Sequence, residues 1–119
     1  MSDDDLVTGL RAWAKNHDAR VRAAVELLIE HDHWLWDEGF TDRCIFDDAG
    51  APGINFAEVK RYHDEGLDEG LPCSTSQAAV LLVIADIGSG RWQIDTMDGR
   101  NRRRVADAVL RAAGLSTDD

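Results

Sequence analysis

A mainly α-helical fold, a compact bundle of four to six helices, is predicted by three features of this chain. Apolar residues recur at three-, four- and seven-residue intervals, Asp, Asn or Ser residues stand just before those runs, and glycine-rich breaks separate them. The one alternating stretch, Trp92-Gln93-Ile94-Asp95, is too short to carry a sheet, so the β content expected is a minor two-stranded bridge around 53–56 and 92–95. A length of 119 residues suits one domain, 1–119, with an ordered core over about 6–115 and polar ends that fray.

Each element has its own local reason. Asp3 to Asp5 place negative charge at a helix N-terminus, and Leu6, Leu10 and Trp13 follow at helical spacing, which predicts a first helix over about 4–15. Asn16 or Asp18 caps a second helix, whose Val21, Val25, Leu28 and Leu35 continue the period until Gly39. A helical turn at about 41–46 precedes the turn-forming run Asp47-Asp48-Ala49-Gly50-Ala51-Pro52-Gly53, read as a loop. Asn55 with Glu58 three residues on opens the next helix, which buries Phe56, Val59 and Tyr62/His63 and ends near Gly66. Ser74-Thr75-Ser76-Gln77 is a capping box ahead of Ala78 to Ile87, apolar on all sides and stopped by Gly88, hence the central helix. The last helix starts near Thr96 or Asp98, carries Val105, Ala108, Val109 and Ala112 on one face, and ends at Gly114.

Charge is segregated more sharply than structure. The net charge is −10, and all of it lies between Glu26 and Glu69, where 13 carboxylates face Arg43, Lys60 and Arg61. Such a charge repels nucleic-acid phosphates and anionic membrane surfaces and favours a basic protein partner. Neither a basic leader running into an apolar segment nor an apolar stretch longer than Ala78–Ala85 is present, so a soluble, cytoplasmic protein is expected, with no membrane contact. Cys44 and Cys73 have no metal-type spacing and read as reduced, partly buried thiols.

The acidic segment also holds three of the four histidines. On one continuous second helix, Glu26, Glu30, His33 and Asp37 would form a single stripe, and Glu30-x-x-His33 is half of a di-iron bundle signature. The other half is missing, because Glu58 and His63 stand five apart; the stripe therefore reads as a solvated acidic face in which His33 pairs with Glu30 and Asp37. His31 and His63 turn toward the core. Were the two helices to pack side by side, His31 or His33 would meet His63 and Asp64 and make a divalent-metal site, the only cofactor the residues suggest. Trp34 and Trp36 lie about 200° apart on a helix, so one of them belongs at the surface beside Glu30, Asp37 and Glu38, as a partner anchor.

Arg100-Asn101-Arg102-Arg103-Arg104 is the one basic cluster, and Arg100, Arg102, Arg103 and Arg104 are the candidate nucleic-acid contacts. Arginines in a first helical turn oppose the helix dipole, so neutralisation within the chain is preferred, through Arg103–Asp107 or by lying across the acidic middle. Nucleophile-elbow, phosphate-loop, dinucleotide and zincin motifs are all missing, which makes an enzyme the less favoured class.

The Ser74-x-Ser76 cap leading into a long apolar helix, then Asp98-x-x-Asn101 before Val105-x-x-Ala108, resembles small uncharacterised proteins of high-GC bacteria and their mobile elements. Few lysines among the basic residues, 2 of 13, fit such a source. The resemblance covers about the C-terminal 45 residues and implies helices, with no activity to transfer. The functional expectation is thus a non-catalytic protein-interaction domain of inhibitor, adaptor or immunity type, binding a basic partner through 26–69. The alternatives are a divalent-metal protein using His31, His33, His63 and nearby carboxylates, and nucleic-acid binding through Arg100–Arg104.

Overall fold

The structure, a computed structural model, describes residues 3–69, 75–91 and 97–115. Six α-helices and one hairpin follow in the order α1 (Asp3–Ala14), α2 (Ala19–His31), a 3-10 turn (Trp34–Trp36), α3 (Glu38–Cys44), β1 (Ile45–Asp48), β2 (Ala51–Ile54), α4 (Phe56–Glu69), α5 (Thr75–Gly88) and α6 (Gly99–Ala112). The Cα radius of gyration is 15.0 Å, close to the roughly 13.5 Å of a fully compact chain of this length.

The apolar α5 is the central helix expected, packed between α2 and α4. Leu81 and Ile84 on α5, Val25 and Leu28 on α2, Val59 on α4, Leu10 on α1, and Trp34 and Phe40 near α3 are all fully buried. Each aliphatic side chain so removed from water contributes about 1.5–3 kcal/mol. Of the capping box before α5, Ser74 lies outside the described residues. Asn55 does act as the α4 cap, its Oδ1 accepting from the Glu58 N–H at 3.2 Å.

Two expectations change. The second helix was expected to reach Gly39, but α2 ends at His31 because Asp32 takes a left-handed backbone, φ 56° and ψ 44°. A short polar side chain tolerates that conformation, and the chain then turns through the 3-10 segment. The break has a packing reason. On a continuous helix Trp34 would point away from the Val21–Val25–Leu28 stripe, whereas the turn buries Trp34 and Leu35 together.

The second change is the sheet. β2 pairs antiparallel with β1, Ile45 opposite Ile54 and Asp48 opposite Ala51, so the run read as a loop is a hairpin. Its two-residue turn is Ala49–Gly50, both at positive φ, the geometry that matches the strand twist. Asp47 Oδ1 accepts from the Gly50 N–H at 3.0 Å and closes the turn. Residues 92–95, the partner expected from sequence, lie outside the described residues. The hairpin is tied to α1 by Trp13, whose Nε1–H donates to Asp48 Oδ2 at 3.0 Å and whose ring covers Gly53 so closely that a Cβ there would sit 2.8 Å from it.

α6 forms over the residues expected, capped by Asp98, whose Oδ1 accepts from the Asn101 N–H at 2.8 Å. Gly114, at φ 77°, follows its end. Its apolar stripe nevertheless has little cover among the described residues: none of α6 is fully buried, Val105 and Leu110 are half-buried, and α6 is not among the extensive helix packings that build the bundle.

Candidate functional site

The segment from the end of α2 to the start of α3 gathers most of the residues singled out by sequence. Where α2 stops at Asp32, the expected carboxylate stripe is broken into separate contacts. Glu26 is taken by α1, held by Arg11 Nε at 2.9 Å and Nη2 at 3.2 Å. Glu30 remains exposed on the last turn of α2. Asp37 turns inward to cap α3, its Oδ1 accepting from the Gly39 N–H at 3.1 Å and its Oδ2 from the Tyr62 hydroxyl at 2.8 Å.

The two tryptophans divide as expected, one inside and one outside. Trp34 is fully buried; its Nε1–H donates to the Gln77 carbonyl at 3.3 Å, and its ring stands 6.1 Å from both Phe40 and Tyr62. As an anchor for a partner it has no exposed face. Trp36 is 43% exposed, and its Nε1–H donates to Asp32 Oδ1 at 2.6 Å. An indole is thereby fixed at the surface by one carboxylate, and the α3 that follows it in the chain exposes two more, Glu38 and Asp42.

The histidines do not converge. His33 turns away from Glu30 and Asp37; its Nδ1 lies 3.2 Å from Gln77 Nε2, and its ring packs edge-on to Trp34 at 4.7 Å. His31 lies 6.2 Å away, half-buried, with its Nε2 enclosed and without a hydrogen bond among the described residues. His63 is buried on α4, as expected, and its Nδ1 lies 3.0 Å from Asp64 Oδ1. Asp64 is drawn outward to Lys60 Nζ at 2.5 Å. Among the described residues no three His, Cys, Asp or Glu side chains come together in a way that would hold a metal. The expected His31, His33, His63 and Asp64 set is therefore corrected: the helix break aims His33 at α5 rather than α4.

Arg43 is the residue that sequence reasoning overlooked. It reaches from α3 to α4, with Nη1 at 2.5 Å from Glu65 and Nη2 at 3.3 Å from Glu58, and its guanidinium stands over the Tyr62 ring, 5.6 Å from the centroid. The available signal was its isolation, one of three bases among 13 carboxylates. Hydrogen bonds from Arg61 and Arg43 hold the Glu58 carboxyl below its usual range, and those from Lys60 and His63 do the same for Asp64. Burial, with the bond to Asp37, keeps the Tyr62 phenol protonated well above its ordinary range. Burial also pushes the Cys44 thiol up to about 12, leaving it protonated and inert at neutral pH.

The basic cluster meets one of its two expectations. Arg103 Nε lies 3.3 Å from Asp107 Oδ1 within α6, while among the described residues α6 has no extensive packing on the helices of the acidic segment. A shallow hollow of about 220 Å³ at the hairpin, lined by Ile45, Phe46, Asp47, Gly50 and Pro52, carries one carboxylate and no base. No helix is long and apolar enough to cross a membrane among the described residues.

Comparison of the chain with family models, with curated proteins and with solved structures found no match.

Proposed function

We propose that this protein is a non-catalytic interaction module, of inhibitor, adaptor or immunity type, that docks a basic protein partner on the surface formed by the end of α2, the 3-10 turn and α3. The exposure of Trp36 carries this reading. An indole that is 43% exposed and pinned to Asp32 is a preformed apolar anchor, the residue type most enriched where interfaces concentrate their energy.

The charge around it is left over from the ion pairs of the described residues. Within the acidic segment Arg43 is engaged by Glu58 and Glu65, Lys60 by Asp64, and Arg61 by Glu58. Glu30, Glu38 and Asp42 are left exposed, with no ion pair among the described residues. Rim carboxylates of this kind steer a basic partner and set the salt dependence, while the indole supplies the affinity.

The reading is tested by titrating the protein with short arginine-rich and lysine-rich peptides and following tryptophan fluorescence. Binding should weaken as salt rises, fall about tenfold or more in Trp36→Ala, and fall again when Glu38 and Asp42 are both changed to lysine. Binding indifferent to salt, to Trp36→Ala and to the charge reversal would overturn it.

A further inference from the structure

α6 is the helix whose chemistry the fold leaves unused. It bears five arginines against Asp107 alone, and Arg100, Arg104 and Arg111 share one stripe, with no carboxylate paired to them among the described residues. The neighbouring side, about 110° round the helix, presents Val105, Ala108, Val109 and Ala112, with Val109 45% exposed, and Leu115 just beyond is 58% exposed. A helix of 14 residues is marginal in water by itself, and among the described residues this one has none fully buried, with only Val105, Asp107 and Leu110 half-buried. Its apolar face calls for a cover and its arginine stripe for carboxylates.

We infer that α6 docks on the Trp36 surface of a second copy of this chain, and that two copies exchange these helices reciprocally. The inference rests on the reading above and names the basic partner. Arg100, Arg104 and Arg111 match in sign and number the carboxylates Glu30, Glu38 and Asp42, which make no ion pair among the described residues, and the valine face meets the exposed indole. Area decides in favour of reciprocity. A helix of this length is about 21 Å long and 10 Å across, so one face covers only a few hundred Å². A stable interface needs about 800 Å² per partner, and an exchange in both directions doubles the contact and closes it as a two-fold dimer.

Sedimentation velocity over a range of protein and salt concentrations tests this on the full chain. The expected result is a dimer at low salt that dissociates as salt rises. Arg100→Glu with Arg104→Glu, and separately Glu38→Lys with Asp42→Lys, should each give monomers. Mixing the two variants should restore a dimer, because each α6 then meets a surface of opposite charge. Thermal unfolding guards against misfolding: these residues are exposed, so both variants should retain a cooperative transition. A wild-type chain that stays monomeric at low salt overturns the inference, as does a dimer indifferent to both reversals or a mixture that stays monomeric. A monomer that still binds the basic peptides through Trp36 overturns the exchange and leaves the interaction reading standing; a monomer that binds neither overturns both. A monomer retained on duplex DNA through Arg100 and Arg104 assigns α6 to nucleic acid instead.

Discussion

Trp34 and Trp36 are two residues apart and meet opposite surroundings. Trp34 is enclosed by Phe40, Tyr62 and His33, and its one polar atom has found the Gln77 carbonyl. Its truncation to alanine removes the largest fully buried side chain and opens a cavity that the neighbouring rings cannot fill, at a cost of about 3–5 kcal/mol. Trp36→Ala gives up a surface hydrogen bond and should stay within about 0.5 kcal/mol of the wild type. Urea unfolding of the two variants measures both, and equal losses would contradict this placement. Sequence established that the pair must divide but not which member goes inside. That choice hangs on Asp32, whose left-handed backbone stops α2, and a single residue's φ is not carried by an apolar period. The same break explains the histidines: His31 and His33 were assigned to stripes of a helix that ends between them.

Elements were legible where their signals are local. Asn55 and Asp98 each cap the helix they precede, α5 is central, and Gly114 follows the last helix. The hairpin was not, because its turn breaks the usual preference. A two-residue turn with both central residues at positive φ favours Asn-Gly, and here Ala49 stands at φ 55° in the first position. An alanine held there costs about 1–2 kcal/mol relative to its preferred conformations. Ala49→Asn should therefore stabilise the protein by about 0.5–1 kcal/mol, since asparagine enters this region more readily and the site is exposed. The midpoint of chemical unfolding would rise, and an unchanged or lower midpoint would argue against this turn geometry. α6 is the reverse case. Its period and caps were read correctly, but a period indicates only which residues share a face, and nothing local says whether that face finds a cover.

For the molecule as a whole, the charge that dominated the sequence is partly neutralised by a lattice of surface pairs around Arg43. Glu58 and Asp64 both titrate below their ordinary values of 4.5 and 3.8, Glu58 through Arg61 and Arg43, Asp64 through Lys60 and His63. A carboxyl whose pKa is lower in the folded state adds stability at pH values above its unfolded pKa, and that stability is lost as pH falls through the folded value. Both contributions are thus complete at neutral pH and decline in the acid range, Glu58 starting at the higher pH. Acidification also lowers the net negative charge of the segment and relieves its repulsion, which would obscure a single acid-unfolding curve. A difference between two proteins removes that common background. Arg43→Met keeps much of the side chain's bulk over Tyr62 and deletes the charge that joins α3 to Glu58 and Glu65. At pH 7 and low salt the variant should unfold below the wild type by a modest margin, as exposed pairs allow. The margin should narrow as the solution is acidified through the carboxylate range, and narrow at pH 7 when salt is raised. A margin constant in both directions would mean that Arg43 acts through packing on Tyr62 alone, and that its ion pairs with Glu58 and Glu65 add no stability.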